Sequence, residues 1–160
     1  MKSALIAFGA NLANPRHMLL DVVGALGGEG VVIDALSPLY RSPAWPAGSG
    51  APDYRNAVIR ARSDRAPTAL MRLLLDIETR LGRVRSTPNA PRTVDLDLLV
   101  YGEHTLRTPR LSLPHPRMTE RAFVLLPLRD VAPDYVHPDG RTLGALIAAV
   151  DTSATLREVG

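Results

Sequence analysis

The sequence predicts an α+β fold, an antiparallel sheet with helices on one face and an additional C-terminal helix. Three observations carry that expectation. Residues 15–26 and 67–81 repeat apolar side chains at helical spacing. Short β-branched and aliphatic stretches at 3–8, 31–39, 54–62 and 92–99 surround them. The resulting order, strand, helix, strand, strand, helix, strand, is that of a ferredoxin-like domain, in which two helices cover one face of the sheet and leave the other for ligands. With 160 residues, 46% hydrophobic and 22% charged, and no repeat, low-complexity tract or interdomain linker, residues 1–160 are expected to form a single domain.

The elements follow in order. Residues 3–8 are short and largely apolar, and Gly9-Ala10-Asn11-Leu12 reads as a turn. Asn14 is a candidate N-cap with Pro15 at the first helical position; Met18, Leu19, Val22, Val23 and Leu26 form the apolar stripe, and Gly27-Gly28 ends it. Residues 31–39 form the next strand, closed by Ser42-Pro43. Residues 42–53, rich in Pro, Gly, Ala and Ser and carrying Trp45, read as a long surface loop. In the strand at 54–62, Ala57, Ile59 and Ala61 alternate with Asn56, Val58, Arg60 and Arg62. Leu70, Leu74, Ile77 and Leu81 mark the helix at 67–81, with Pro67 near its start and Gly82 past its end. Residues 86–91 form a second loop. After the strand at 92–99 come a turn at 101–104, a short extension at 105–106 and an irregular stretch at 110–117, where Pro114 and Pro116 oppose regular helix. A helix at 120–131, kinked or divided by Pro127, and a short helix at 142–150 complete the chain.

Composition excludes several chemistries. The absence of cysteine removes disulfides, thiolate metal sites and cysteine nucleophiles. No apolar run approaches 18 residues and no signal-peptide pattern opens the chain, so a cytoplasmic protein without membrane partners is expected. Lys2 is the sole lysine among 19 Lys and Arg, so there is no P-loop, and phosphate binding would rest on arginine, whose planar fork grips phosphate oxygens bidentately. The net charge of +3 favours anionic ligands.

The chemistry centres on Arg92-Thr93-Val94-Asp95-Leu96-Asp97-Leu98-Leu99. Side chains alternate along a strand, so Val94, Leu96 and Leu98 point one way and Asp95 and Asp97 the other, about 7 Å apart along the strand. Such a pair either forms the wet side of an amphipathic strand or holds a hard divalent ion, since Mg2+ takes one or two carboxylates and completes its shell with phosphate and water. Arg83, Arg85, Arg92, Arg110, Arg117 and Arg121 fall in the neighbouring loops and strand ends, where a polyphosphate site would need them; taken singly, each could be a solvated surface charge.

These residues resemble the 6-hydroxymethyl-7,8-dihydropterin pyrophosphokinases of folate biosynthesis. The resemblance runs through Gly9-Ala10-Asn11-Leu12, Tyr40-Arg41-Ser42-Pro43, Asp53-Tyr54-Arg55-Asn56-Ala57, Ile77-Glu78 with Gly82-Arg83-Val84-Arg85, the aspartate strand, and Leu113-Pro114-His115-Pro116-Arg117-Met118 with Arg121-Ala122-Phe123. It implies transfer of pyrophosphate from ATP to the pterin alcohol. Asp95 and Asp97 would hold two Mg2+ ions. Arg83 and Arg92, with Asp97, would serve the transferring group, and Arg85, Arg110, His115 and Arg121 the polyphosphate, with Leu98 and Ser112 near adenosine. Tyr54 and Phe123 would sandwich the pterin, Asn56 would read its edge, and Ser42 and Pro43 would lie beside it. Glu78 would stand behind the metal site as a partner of its ligands, or be a solvated helix charge. A monomer is expected. The chain departs from the family pattern at Ala44, at Leu75 and at Asn89-Ala90, positions that bear on lid closure and pterin affinity.

Two other readings share some of these features. A ferredoxin-like domain with a basic face can bind RNA, but an RNA-binding sheet displays stacking aromatics, and here aromatic content is 4% and an acidic pair occupies the exposed face, so no nucleic-acid partner is expected. A paralogous Mg-dependent phosphoryl or nucleotidyl transferase would share the aspartates and arginines without needing Tyr54, Asn56 and Phe123.

Overall fold

A computed structural model describes residues 1–11, 14–44, 50, 52–82 and 94–158. Its elements are β1 (Lys2–Ala10), α1 (Pro15–Gly28), β2 (Val32–Leu36), β3 (Tyr40–Ser42), β4 (Tyr54–Ser63), α2 (Pro67–Gly82), β5 (Asp95–Tyr101), β6 (Leu106–Arg107), β7 (Ser112–Leu113), a 3-10 turn (Met118–Glu120), α3 (Ala122–Val131), α4 (Leu143–Ala148) and β8 (Leu156–Arg157). The main sheet runs β5-β1-β4-β3-β8, with β2 pairing β4 beside β3, and its pairings are antiparallel. This is the ferredoxin-like arrangement, with β1 and β4 at the centre.

The helical patterns fold as expected. The Asn14 side chain accepts from the His17 N–H at 3.4 Å and Pro15 opens α1. Leu19, Val22 and Leu26 of α1 and Leu70, Leu74 and Ile77 of α2 are buried against Ala4, Ile6 and Phe8 of β1, Ala57, Ile59 and Ala61 of β4, and Val94, Leu96 and Leu98 at the start of β5.

Several expectations need correction. Of the turn expected at Gly9-Ala10-Asn11-Leu12, Gly9 and Ala10 belong to β1, and Leu12 lies outside the described residues. The strand expected at 31–39 is shorter, β2 ending at Leu36 before Pro38, which has no N–H for a ladder, and pairing resumes beyond it in β3. Ser37 makes the corner: its N–H donates to the Val58 carbonyl and its Oγ accepts from the Val58 N–H at 2.9 Å. The irregular stretch contains β7, paired with β6 in a small hairpin. The helix expected from 120 starts at Ala122, since Arg121 is extended (φ −116, ψ 107) and separates α3 from the 3-10 turn, and α3 passes Pro127 unbroken.

The second face of the sheet is not left wholly free. Leu5, Val58 and Leu99 on it are buried under Val124, Leu125 and Leu128 of α3, with Leu143 and Leu146 of α4 behind. A bulge in β5 completes this face. Leu5 lies opposite Val100 while Ile6 lies opposite Leu98, so Leu99 is the extra residue; Leu99 and Val100 both turn toward α3, and Tyr101 returns to the first core. Arg60 of β4 donates to the Val131 carbonyl at 2.7 Å, tying down the end of α3.

Two consequences for stability follow. Leu74→Ala, at a fully buried position, is expected to cost about 2–5 kcal/mol, read as a lower urea midpoint. Burial pushes the Tyr40 and Tyr135 hydroxyls up to about 12, helped at Tyr40 by its hydrogen bond to Asp130 and at Tyr135 by nearby Asp139. Their folded values exceed the unfolded value near 10, so their contribution is complete below pH 10 and is lost as pH rises toward 12. Urea midpoints measured from pH 8 to 11 are expected to hold and then to fall above about pH 10.

Candidate active site

The open end of the second face is built on β1. Gly9 lies opposite Asn56 on one side and Asp95 on the other, and Ala7 lies opposite Val58 and Asp97. These small residues leave the floor bare. A Cβ on Gly9 would stand 3.4 Å from Asn56 Oδ1, at the edge of ordinary contact. Asp95 and Asp97 are half-buried and Leu96 and Leu98 buried, the alternation the strand requires.

Above this floor is a cleft of about 550 Å³. It brings together Ser42 and Pro43 at the end of β3, Tyr54 and Asn56 of β4, Glu78 of α2, Asp95 and Asp97 of β5, and His115, Arg121 and Phe123 around the start of α3. Asn56 is buried and its amide Nδ2 donates to Ser42 Oγ at 2.8 Å, with the Tyr40 carbonyl at 3.5 Å. That leaves Oδ1 on the Gly9 side as an acceptor.

His115 is placed by its main chain, whose N–H donates to the Leu99 carbonyl at 2.8 Å beside a cis Leu113-Pro114 bond. Its Nδ1 accepts from the Arg117 N–H at 3.2 Å. Burial pushes the imidazole below its usual value, with Arg121 and Arg117 adding to the effect and the Asp97 charge opposing it. A neutral ring with Nδ1 accepting carries its proton on Nε2, so His115 is a hydrogen-bond donor here. The Arg121 guanidinium stands 5.6 Å from the centroid of the Phe123 ring, and burial, then the Arg117 charge, lowers its pKa. It remains a cation.

Other expected residues fall elsewhere. The Leu98 side chain is buried in the helix-facing core, because it alternates with Asp97, so it can offer a ligand only its main chain. Arg110 is exposed and Ser112 half-buried at the β6-β7 hairpin, and neither lines the cleft. Arg83, Arg85 and Arg92, Trp45, and Asn89-Ala90 lie outside the described residues.

The sequence does not single out the floor residues Ala7 and Gly9, nor Met71, which with Leu75, one turn apart on α2, adds an apolar wall. Leu75, a departure from the family pattern in the sequence, lies off the buried stripe, is half exposed, and lines the cleft.

Fold and site together define a ferredoxin-like protein whose cleft, at one end of the sheet, combines carboxylates, a guanidinium and an amide-and-aromatic wall. The chain belongs to the 7,8-dihydro-6-hydroxymethylpterin-pyrophosphokinase family, whose model matches residues 5–133. It is similar to the 2-amino-4-hydroxy-6-hydroxymethyldihydropteridine pyrophosphokinase of Pseudomonas aeruginosa, 46% identical over 148 residues covering 90% of this chain and 89% of that protein. The enzyme of the same name from Synechocystis sp. is 39% identical over 153 residues, covering 94% of this chain and 77% of that protein. Among solved structures, Plasmodium falciparum HPPK-DHPS wild type with pteroate shares the fold at a TM-score of 0.72 and 14% identity. The match covers 92% of this chain and 42% of that longer one.

Proposed function

We propose that this cleft carries out the reaction of the family and that its residues divide the work as follows. The chain transfers pyrophosphate from ATP to the hydroxymethyl group of 6-hydroxymethyl-7,8-dihydropterin, giving AMP and the pterin diphosphate for folate biosynthesis. The bond formed joins the hydroxymethyl oxygen to the β-phosphorus; the bond broken joins that phosphorus to the oxygen that leaves with AMP. The hydroxyl proton passes to solvent. The observation that carries this reading is a single cleft holding both the Asp95-Asp97 pair and the Tyr54, Asn56 and Phe123 set.

The pterin ring lies between Tyr54 and Phe123, with Ser42 and Pro43 at its side, and donates its N–H groups to Asn56 Oδ1. His115 donates from Nε2 to a phosphate oxygen, and Arg121 supplies positive charge on the same side, where partial burial strengthens its attraction for phosphate. Arg83, Arg85, Arg92 and Arg110 add cations to the triphosphate, and adenosine lies beside the Leu98 main chain and Ser112. Glu78, almost fully buried on α2, supports the acidic side of the cleft. Asp95 and Asp97 are a hard, all-oxygen donor pair, which fits Mg2+. Two such ions bound there supply charge neutralisation of the triphosphate and polarisation of its oxygens.

Incubation with Mg-ATP and the pterin alcohol is expected to yield AMP and the pterin diphosphate, resolved by chromatography; ADP as product, or turnover independent of the pterin, would count against the reading. Asp97→Ala is expected to lower kcat by about three orders of magnitude with an unchanged circular dichroism spectrum. Near-normal turnover in that variant would place the chemistry elsewhere.

A further inference from the structure

The two walls of the proposed pterin slot belong to different parts of the fold. One is in the sheet, where Tyr40 lies opposite Asn56 and Ser42 opposite Tyr54, so the ladder fixes Ser42, Tyr54 and Asn56 relative to one another. The other wall is Phe123, on α3, which no ladder holds. Apolar packing of Val124, Leu125 and Leu128 presses α3 onto the sheet, and hydrogen bonds add the directional part of that docking.

Among the described residues, two side-chain hydrogen bonds join α3 to the sheet: Arg60 to the Val131 carbonyl, and the Tyr40 hydroxyl to Asp130 Oδ2 at 2.6 Å. The second is placed to matter for the slot. Phe123 and Asp130 are seven residues apart, two helical turns, and therefore share one stripe of α3. Tyr40 is 2% exposed, and its main-chain carbonyl receives the Asn56 amide that also holds Ser42. One residue thus touches both walls without lining the cleft.

We propose that Tyr40 is a positioning residue for the pterin half of the site: its hydrogen bond to Asp130 sets the spacing of Phe123 from the Tyr54-Asn56 wall and thereby the grip on a flat ring. This rests on the reading of those three residues as the ring's contacts. A slot that stacks on both faces is sensitive to small displacements, since an extra gap of about 0.5–1 Å forfeits about a quarter to a half of each dispersion contact. Asp95 and Asp97, on the opposite edge strand, are not held by this bond.

The test is steady-state kinetics on wild type, Tyr40→Phe, Asp130→Ala, Asp130→Asn and the Tyr40→Phe/Asp130→Ala pair, well below each melting temperature. Tyr40→Phe and Asp130→Ala are expected to raise the pterin KM by about 3–10-fold, the loss of roughly half a stacking contact, while kcat and the ATP KM stay within about twofold. Asp130→Asn, which keeps an acceptor, should recover most of the wild-type value, and the double variant should be no worse than the poorer single one. Asp130 is exposed, so its variants carry the comparison even if Tyr40→Phe folds badly. A lowered melting temperature with unchanged pterin KM would reduce the bond to a purely structural tie and overturn the proposal, as would additive losses in the double variant. Absence of pterin-dependent turnover in the wild type would sink the reading of the cleft and this proposal with it, whereas normal wild-type turnover with unaltered variants sinks the proposal alone.

Discussion

Antiparallel pairing of β1 with β4 on one side and β5 on the other is the constraint on which the rest depends. It fixes two registers at once, so that Gly9 stands between Asn56 and Asp95 and Ala7 between Val58 and Asp97. Because strand side chains alternate, the same pairing commits Ile6, Ile59 and Leu98 to the core under α1 and α2. The other face is shared between an apolar end under α3 and a polar end that remains open. The cleft lies where the start of α3 stands beside that face without filling it, and its depth comes from two residues too small to fill it.

Electrostatics in the cleft follow from this placement. With arginine as almost the only basic residue in the chain, positive charge arrives on side chains that keep it even when partly buried. Arg121 shows this, retaining its charge beside Phe123 although burial and Arg117 both act against it. His115 goes the other way: burial outweighs the pull of Asp97 and leaves it a neutral donor. Two groups six residues apart thus differ in what they can offer an anion, one a charge and the other a directed hydrogen bond.

Much of this was legible in the sequence, for physical reasons that also explain what was not. Leu70, Leu74 and Ile77 announce α2 because a helix buried on one side must repeat its apolar residues, and Asp95 and Asp97 share a face because strand period is two. The strands β6, β7 and β8 span two residues each, too few to display any period, and are defined only by their partners. Val58 and Leu5 blur the alternation of β4 and β1 because α3 covers the face they point to, and nothing local in either strand signals a helix that arrives more than 60 residues later. Glycine usually marks a turn, whereas Gly9 clears space inside a strand. The catalytic arginines expected at Arg83 and Arg92 fall among residues that the structure does not describe.

β5 is an edge strand, and its outer side is met at Leu99 by the main chain of His115. An exposed edge with the sequence Asp-Leu-Asp-Leu-Leu-Val-Tyr would be an inviting template for a strand from another molecule, and charged side chains are the usual defence against such pairing. Asp95 and Asp97 put two charged side chains on this strand. The two carboxylates thus bring to this strand the kind of charge that disfavours edge-to-edge pairing, in addition to whatever they hold in the cleft.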